Sequence, residues 1–444
     1  MNPRVFRLRL RVGALIGAIT LWYQILLPWL GSNSTAQTFL TPSQSELDDL
    51  LVQASARVDE LIADFDREQI FNTLGLDLGP SVTFNDYAAS LNHAADDAFS
   101  FVDTSRRVSK SVRRAVQTAR SAATLHSNSY NGSSYESNGG LMPHRIGSTI
   151  KNISEMPEQF QAWRTLNPDW EVTLFDDDVM EEWLHTRLIV PGAFGAQRTA
   201  LLEAYDRLPR PILKSDFFRY LLVFFDGGLY TDSDTSCIHA ISEWGNKGTT
   251  QDWTDPTLLA LTNQAQSWGR PRGSPRPIPI NEAPPALIIS LESSVQTTSF
   301  AWQEQANTGG QVVQWTFGGK PGHPVLLDVI QRIIEVSREV DELRANGDME
   351  TWMRDEYVFF WTGPTVWSSA VWRYLWARWG FDFRRLNEIT HPVRIGDVLI
   401  FPYASFQATF SELNVEQPLE TCVWHGAFGF QRWRTPIPSG SEEL

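Results

Sequence analysis

Two carboxylates one residue apart, Asp232 and Asp234, lie in the stretch ILKSDFFRYLLVFFDGGLYTDSDT (212–235) of a 444-residue chain. On a loop leaving a strand, such a pair suits a hard divalent cation, which takes oxygen ligands and keeps positions open for phosphate. A cation bridging the two phosphates of a sugar nucleotide would neutralise the charge that builds on a departing diphosphate, a Lewis-acid role. The same tripeptide also suits a solvated turn, because Asp and Ser hydrogen-bond their own backbone. Its context favours the ligand reading. Asp216 and Arg219 lie three apart, on one face of the helix that precedes the strand, and charges on an otherwise apolar helix pair with each other or bind something.

The elements that must position these residues are legible in the same stretch. Ser215 suits an N-cap, Asp216 to Phe225 reads as an apolar helix, and Gly227 and Gly228 supply the positive φ that ends it. Leu229 to Thr231 then reads as a short buried strand with Asp232 and Asp234 at its C-terminal end, where open α/β sheets hold ligands. From Leu141 onward strand and helix signals alternate, which predicts an α/β domain with a mixed or parallel sheet covered on both faces. Strands are expected at His144–Ile150, Trp170–Phe175 and Ala286–Leu291. Helices are expected at Glu155–Leu166, with Phe160 and Trp163 inward, at Val325–Leu343, and in the Trp-rich run Val366–Trp379. The proline- and arginine-rich segment 267–285 must be a loop.

A net charge of −15 argues against nucleic acid as a partner, and 42% hydrophobic against 20% charged residues is ample for a core. Arg4, Arg7, Arg9 and Arg11 precede an uncharged apolar run from Val12 to Leu30. The expectation is a cytosolic tail (1–11), a single transmembrane anchor (12–30) and a lumenal remainder, a single-pass type II arrangement; a cleaved signal peptide is the competing reading. Asn33, Asn131 and Asn152 begin glycosylation triplets usable only in such a lumen. Leu47, Leu51, Ala54, Val58, Leu61 and Phe65 form a heptad stripe, read either as a stem helix packing on its neighbour or as a surface for self-association. Phe84 to Leu125 reads as further helix, with Arg106, Arg107, Lys110, Arg113 and Arg114 a solvated basic face. The Ser/Asn/Gly-rich segment 127–140 reads as a hinge, so that residues 31–139 make a helical stem and 140–444 the catalytic domain.

Seven blocks carry a family resemblance: MPHRI (142–146), NPDWEVTLFDDD (167–178), the 212–235 stretch, QWTFGGKPGHPVL (314–326), TGPTVW (362–367), GDVLIFPYASF (396–406) and HGAFGFQRW (425–433). Together they resemble the DXD-containing glycosyltransferases of family 32, and within them the fungal initiation-specific α-1,6-mannosyltransferases. That resemblance implies a GT-A-type, Rossmann-like fold and a Golgi enzyme. It implies retaining transfer of mannose from GDP-mannose, with Mn2+ or Mg2+, to an N-glycan core on a glycoprotein. Other acceptors, such as an inositol-phosphoceramide head group, and a non-catalytic glycan-binding or assembly subunit are the alternatives. A complex of mannosyltransferases through the stem is a further implied partner.

By the same resemblance Asp234 coordinates the metal, Asp232 meets its hydration shell, the ribose or the donor sugar, and Asp216 and Arg219 hold donor hydroxyls. His425 completes the metal shell or touches the diphosphate. Glu292, at the next matching strand exit, is the candidate for assisting the acceptor hydroxyl. The segment 422–433 is expected to close over the donor as a lid, with Phe428, Phe430 and Trp433 docking it. Cys237 and Cys422 flank Asp234 and His425 at equal spacing, which allows a disulfide between them. Two departures stand out: Gly147-Ser-Thr where the family has Trp-Gln-Thr, and Ser368-Ser369 where many members have Thr-Asp. They imply loss of an aromatic near the nucleotide and of a carboxylate near the acceptor.

Overall fold

The computed structural model describes residues 43–79, 83–104, 109–123, 142–192, 195–245, 248–267, 277–293, 307–347, 355–403, 405–406 and 420–426. The tail, the apolar run 12–30, the 127–140 hinge and the chain after 426, including Phe428, Phe430 and Trp433, lie outside them. Among the described residues no helix is long and apolar enough to cross a membrane. By internal contacts the chain divides into residues 1–42 with 267–276 and, as a second unit, 43–266 with 277–444; the second is described below.

Twelve helices of this unit are α1 Gln44–Ile62, α2 Arg67–Thr73, α3 Phe84–Thr104, α4 Lys110–Ala123, α5 Gln161–Leu166, α6 Asp177–Leu188, α7 Ala200–Arg207, α8 Pro211–Asp226, α9 Pro256–Ser267, α10 Pro324–Ala345, α11 Asp355–Trp361 and α12 Pro364–Trp379. Its strands are β1 Arg145–Thr149, β2 Glu171–Phe175, β3 Ile189–Gly192, β4 Gly195–Arg198, β5 Gly228–Thr231, β6 Thr235–Cys237, β7 Gln251–Asp252, β8 Leu287–Ser290, β9 Thr316–Gly319, β10 Val393–Ile395, β11 Val398–Phe401 and β12 Val423–His425. Eight strands form one mixed sheet in the order β2-β1-β5-β9-β8-β11-β10-β7. Strands β2, β1, β5, β8 and β11 run one way and β9, β10 and β7 the other. The C-terminal ends of β1, β5, β8 and β11 therefore share one edge, where crevices for ligands form.

The two faces of the sheet are covered differently. One carries long helices: α8, α10 and α12 bury Tyr220, Phe224, Trp367, Trp372 and Trp376. On the other, Ile146, Leu229, Ile288 and Leu399 pack with Phe160 and Trp163 from the α5 region and with Cys237, Cys422 and Val423 from a β6–β12 ribbon. The expected helical cover on both faces thus becomes helices on one and a short helix plus a two-stranded ribbon on the other. Glu155–Leu166 is not one helix but two 3-10 turns and α5, broken where Pro157 holds an extended φ/ψ.

Helix α8 starts five residues earlier than its sequence suggests, with Pro211 at its first turn, and Ser215 is inside it rather than capping it. It ends as expected, at Gly227 and Gly228 with φ 68° and 99°. A Cβ at Gly228 would stand 2.4 Å from the carbonyl oxygen of Arg145, so only glycine fits there. At Gly147 the space is equally tight, a Cβ meeting Leu222 of α8 at 2.4 Å. At this departure the space beside β1 is taken by the Leu222 side chain of α8.

Helices α1 to α4, assigned from sequence to a stem, pack on α8, α10 and α12 in the same compact unit as the sheet. The heptad stripe is used up there. Val58 is fully buried, Phe65 meets Trp376 edge-on at 5.8 Å, and a Cβ at Gly380 would touch Leu61 at 2.7 Å. Self-association through this stripe would need α1 to leave α12. Further along, Phe99 packs tilted against Phe224 at 5.5 Å and edge-on to Phe225 at 5.9 Å, and the Gly322 loop presses on Ala115 of α4. Ser369, the second departure, accepts a hydrogen bond from the Asp77 amide at 3.0 Å, and Ser368 accepts one from the Val312 amide at 2.8 Å. These serines fasten loops to α12.

Candidate functional site

The turn after β5 is fixed by its own hydroxyls. Thr235 Oγ1 donates to the Asp232 carbonyl at 2.6 Å, Thr231 Oγ1 lies 2.7 Å from the hydroxyls of Thr235 and Thr316, and the Asp232 amide donates to the Trp315 carbonyl at 2.8 Å. Buried threonines on β5, β6 and β9 thereby hold both aspartates at the strand exit.

Asp232 is tied inward. Its Oδ1 accepts from the Tyr230 hydroxyl at 2.7 Å and lies 3.4 Å from Arg219 Nη2. The same guanidinium nitrogen is 2.7 Å from Asp216 Oδ1, and Nη1 donates to the Gln314 carbonyl at 3.2 Å. Thr362 Oγ1 donates to Asp216 Oδ2 at 3.1 Å. A carboxylate only accepts, so Tyr230 must in turn accept from Thr149 Oγ1 at 2.7 Å, and Thr149 from Ser215 Oγ at 2.7 Å. Burial raises the proton affinity of Asp216 and Asp232, and the guanidinium of Arg219, 2.7 Å from Asp216 Oδ1, opposes it. Side-chain exposure separates the members: 5% for Asp216 and 4% for Arg219, but 27% for Asp232. Asp216 and Arg219 stand one layer behind Asp232, inside the protein.

Asp234 faces the ribbon. β12 pairs antiparallel with β6, placing His425 opposite Thr235, and the Gly426 amide donates to the Asp234 carbonyl at 2.9 Å. His425 Nε2 comes to 3.6 Å from Asp234 Oδ1, and its ring stacks on Trp315 at 4.2 Å between centroids. Burial lowers the proton affinity of this imidazole, against the pull of Asp234 and Asp232, which favours the neutral, ligating form. Asp234 and His425 are a fitting pair for a cation that keeps open positions. The expected three-ligand set is not gathered: among the described residues no group of three His, Cys, Asp or Glu side chains is placed to hold a metal ion, because Asp232 turns toward Tyr230 and Arg219.

Both cysteines are free. Cys237 lies opposite Val423, whereas the Cys422 carbonyl accepts from the Ile238 amide, so the two cysteines are one position out of register. Cys237 instead donates to the His239 carbonyl at 2.9 Å, and burial pushes its thiol up to about 12.

Glu292 leaves β8 at the same edge, its amide donating to the Gln311 carbonyl at 2.7 Å. Trp315, Tyr230, Thr149 and Gln314 are the site residues that sequence reasoning did not single out. Strand alternation puts Tyr230 on the same face as Asp232 and could have found it. For Trp315, whose carbonyl and ring both serve the site, only the pairing of β9 with β5 gives the signal.

Residues 154–250 match the family described as glycosyltransferase sugar-binding region containing DXD motif. The chain is 25% identical over 300 residues to an initiation-specific alpha-1,6-mannosyltransferase of Schizosaccharomyces pombe, covering 66% of this chain and 64% of that protein. It is 26% identical over 306 residues to the putative glycosyltransferase HOC1 of Saccharomyces cerevisiae, covering 66% and 65%. A shorter match, 30% over 112 residues, is to inositol phosphoceramide mannosyltransferase 3 of S. pombe, covering 24% and 28%. The chain thus spans less than two thirds of the length of these relatives. A solved PaToxG glycosyltransferase superposes only loosely, with a TM-score of 0.29 at 14% identity over 59% of this chain and 80% of that one. With Asp232 and Asp234 inside the matched segment, the chain carries the DXD-containing sugar-binding region of the glycosyltransferases.

Proposed function

We propose that this protein is a retaining mannosyltransferase of GT-A type that takes GDP-mannose, with Mn2+ or Mg2+, and extends an N-glycan core through an α-1,6 linkage. The observation that carries the reading is the meeting of Asp234 with His425 across the β6–β12 ribbon, beside an Asp232 already held by Arg219 and Tyr230. A divalent cation held there supplies the counter-charge for the departing diphosphate. In this reading Asp234 and His425 Nε2 are its protein ligands. Asp232, locked by the Tyr230 hydroxyl and the guanidinium, presents its outer oxygen to the donor's ribose or sugar hydroxyls. Asp216 and Arg219 act as positioning residues, since their buried pairing fixes Asp232 without the cost of reorganisation during the reaction. Trp315 orients the His425 ring by stacking on it.

The setting in this reading is the Golgi lumen, with residues 12–30 as a type II membrane anchor; the kinship with fungal mannosyltransferases and the arginine-flanked apolar run support it. A second acceptor class, the inositol-phosphoceramide head group, is favoured by the 112-residue match alone. The deciding experiment incubates the full-length chain with GDP-mannose and other sugar nucleotides, with manganese and with chelator, and offers both mannosyl glycans and inositol phosphoceramide. Manganese-dependent consumption of GDP-mannose and labelling of the glycan are expected. Turnover unaffected by chelation refutes the metal assignment, and turnover of no sugar nucleotide refutes the enzyme.

A further inference from the structure

The turn that follows β11 carries a ring that the donor half of the site does not use. Among the described residues the aromatic rings are buried or half-buried except those of Phe360 and Tyr403, at 46% and 49% exposure. Single exposed apolar side chains are ordinary on any protein surface. What distinguishes Tyr403 is the firmness of its turn and the place where that turn is fastened.

Ser290 Oγ of β8 donates to the Pro402 carbonyl at 3.1 Å, and the Ser405 amide closes on the same carbonyl at 3.2 Å. The Ser405 carbonyl accepts from the Cys422 and Val423 amides at 2.8 and 3.1 Å, which ties the turn to the start of β12, the strand that carries His425. Phe406 is fully buried, its ring 5.0 Å from Trp244 and 5.2 Å from Phe401, and its carbonyl accepts from Trp315 Nε1 at 2.8 Å. Trp315 is the ring that stacks on His425 at 4.2 Å. Phe401 and Phe406 also pack in one cluster with Cys422 and Val423, so the turn is rooted on the ribbon face of the sheet, with Asp234 and His425.

When configuration is retained without a covalent intermediate, the acceptor oxygen enters on the face that the diphosphate leaves. The acceptor then belongs on the ribbon side, which is where the Tyr403 turn stands. Resting on the mannosyl-transfer reading, we propose that Tyr403 is the stacking platform for an oligosaccharide acceptor, holding a sugar beyond the one that is mannosylated. A tyrosine offers a flat apolar face with a polar tip at little cost in conformational freedom, and the C–H groups on one face of a pyranose ring suit that face. Three residues separate Tyr403 from Phe406, a reach of at most about 11 Å, which an oligosaccharide bridges and a single sugar does not. Tyr403 therefore touches substrate away from the reacting atoms and selects a glycan chain over a monosaccharide.

The test follows transfer by the full-length chain from GDP-mannose, with manganese, to methyl α-mannoside and to an α-linked mannotriose. It compares the parent with Tyr403→Ala and Tyr403→Phe. The parent's kcat/KM should be higher for the triose by about three- to tenfold, the size of one aromatic stack. Tyr403→Ala should raise the triose KM by about that factor and leave kcat within about twofold, the pattern of lost uniform binding. Its KM for methyl α-mannoside and its melting temperature should not move. Tyr403→Phe keeps the ring and should keep the parent's KM. Calorimetry of mannotriose with the protein loaded with GDP and manganese reads the same loss apart from turnover, with GDP affinity unchanged. An unchanged triose KM in Tyr403→Ala, an equal rise for both acceptors, or a parent without preference for the triose overturns the platform and leaves the transferase reading standing. A loss in kcat alone, or one accompanied by lower melting, assigns Tyr403 to structural support and overturns it too. A parent that consumes no GDP-mannose overturns the transferase reading, and the role of Tyr403 with it.

Discussion

The two aspartates of the motif are two residues apart yet belong to differently built regions. Asp232 is held from behind: Arg219 of α8 and Tyr230 of β5 meet it directly, Asp216 and Thr149 back those two in turn, and Arg219 and Asp216 are almost fully enclosed. Asp234 is held from the side by a two-stranded ribbon whose other strand brings His425, with 18% and 16% of the two side chains exposed. The first region is preorganised and stiff, as an electrostatic anchor should be. The second rests on a ribbon of only three residues a strand. A site can thus take one carboxylate from a braced layer and the other from a short ribbon.

Arg219→Met should break the first region most severely. It leaves two carboxylates facing one another without their cation, a change expected to cost about 3–5 kcal/mol of stability, measurable by denaturant unfolding. A loss under about 1 kcal/mol would show that the buried pair is not the anchor. Next in size, Asp234→Ala should lower transfer about 10²- to 10³-fold, equivalent to several kcal/mol of counter-charge on the leaving group, with little change in melting temperature. If folding and turnover fell together, the contrast between the regions would disappear. The smallest effect is expected for His425→Ala, about tenfold weaker manganese activation with a modest shift in melting. A melting loss of many degrees with normal manganese dependence would make His425 a packing partner of Trp315 only.

Much of the anchor was legible before the structure, because α8 and β5 combine an apolar run, paired glycines and charges three apart in one stretch. What escaped was whatever depends on partners distant in sequence. Ser215 has the chemistry of an N-cap, but Pro211 opens the helix one turn earlier and frees the serine to join Thr149. The Leu47–Phe65 periodicity shows which side of α1 is apolar and cannot show that α12 covers it. Equal spacing of Cys237 and Cys422 from the site is a one-dimensional fact, and the ribbon sets the two cysteines one position out of register. Gly147 and Ser369 depart from a family pattern, and what each touches, the Leu222 side chain of α8 in the one case and the Asp77 amide in the other, lies far along the chain.

The packing of α3 and α4 onto α8 and α10 bears on what a break in the chain between them and the sheet would do. Protease cleavage between residues 124 and 141 would separate the sequence but not the particle: Phe99 would remain lodged at Phe224 and Phe225, and Ala115 against the Gly322 loop. A nicked chain would run as two bands on a denaturing gel and as one species in gel filtration. A fragment that keeps this whole unit therefore begins no later than Ser43, where the capping box opens α1.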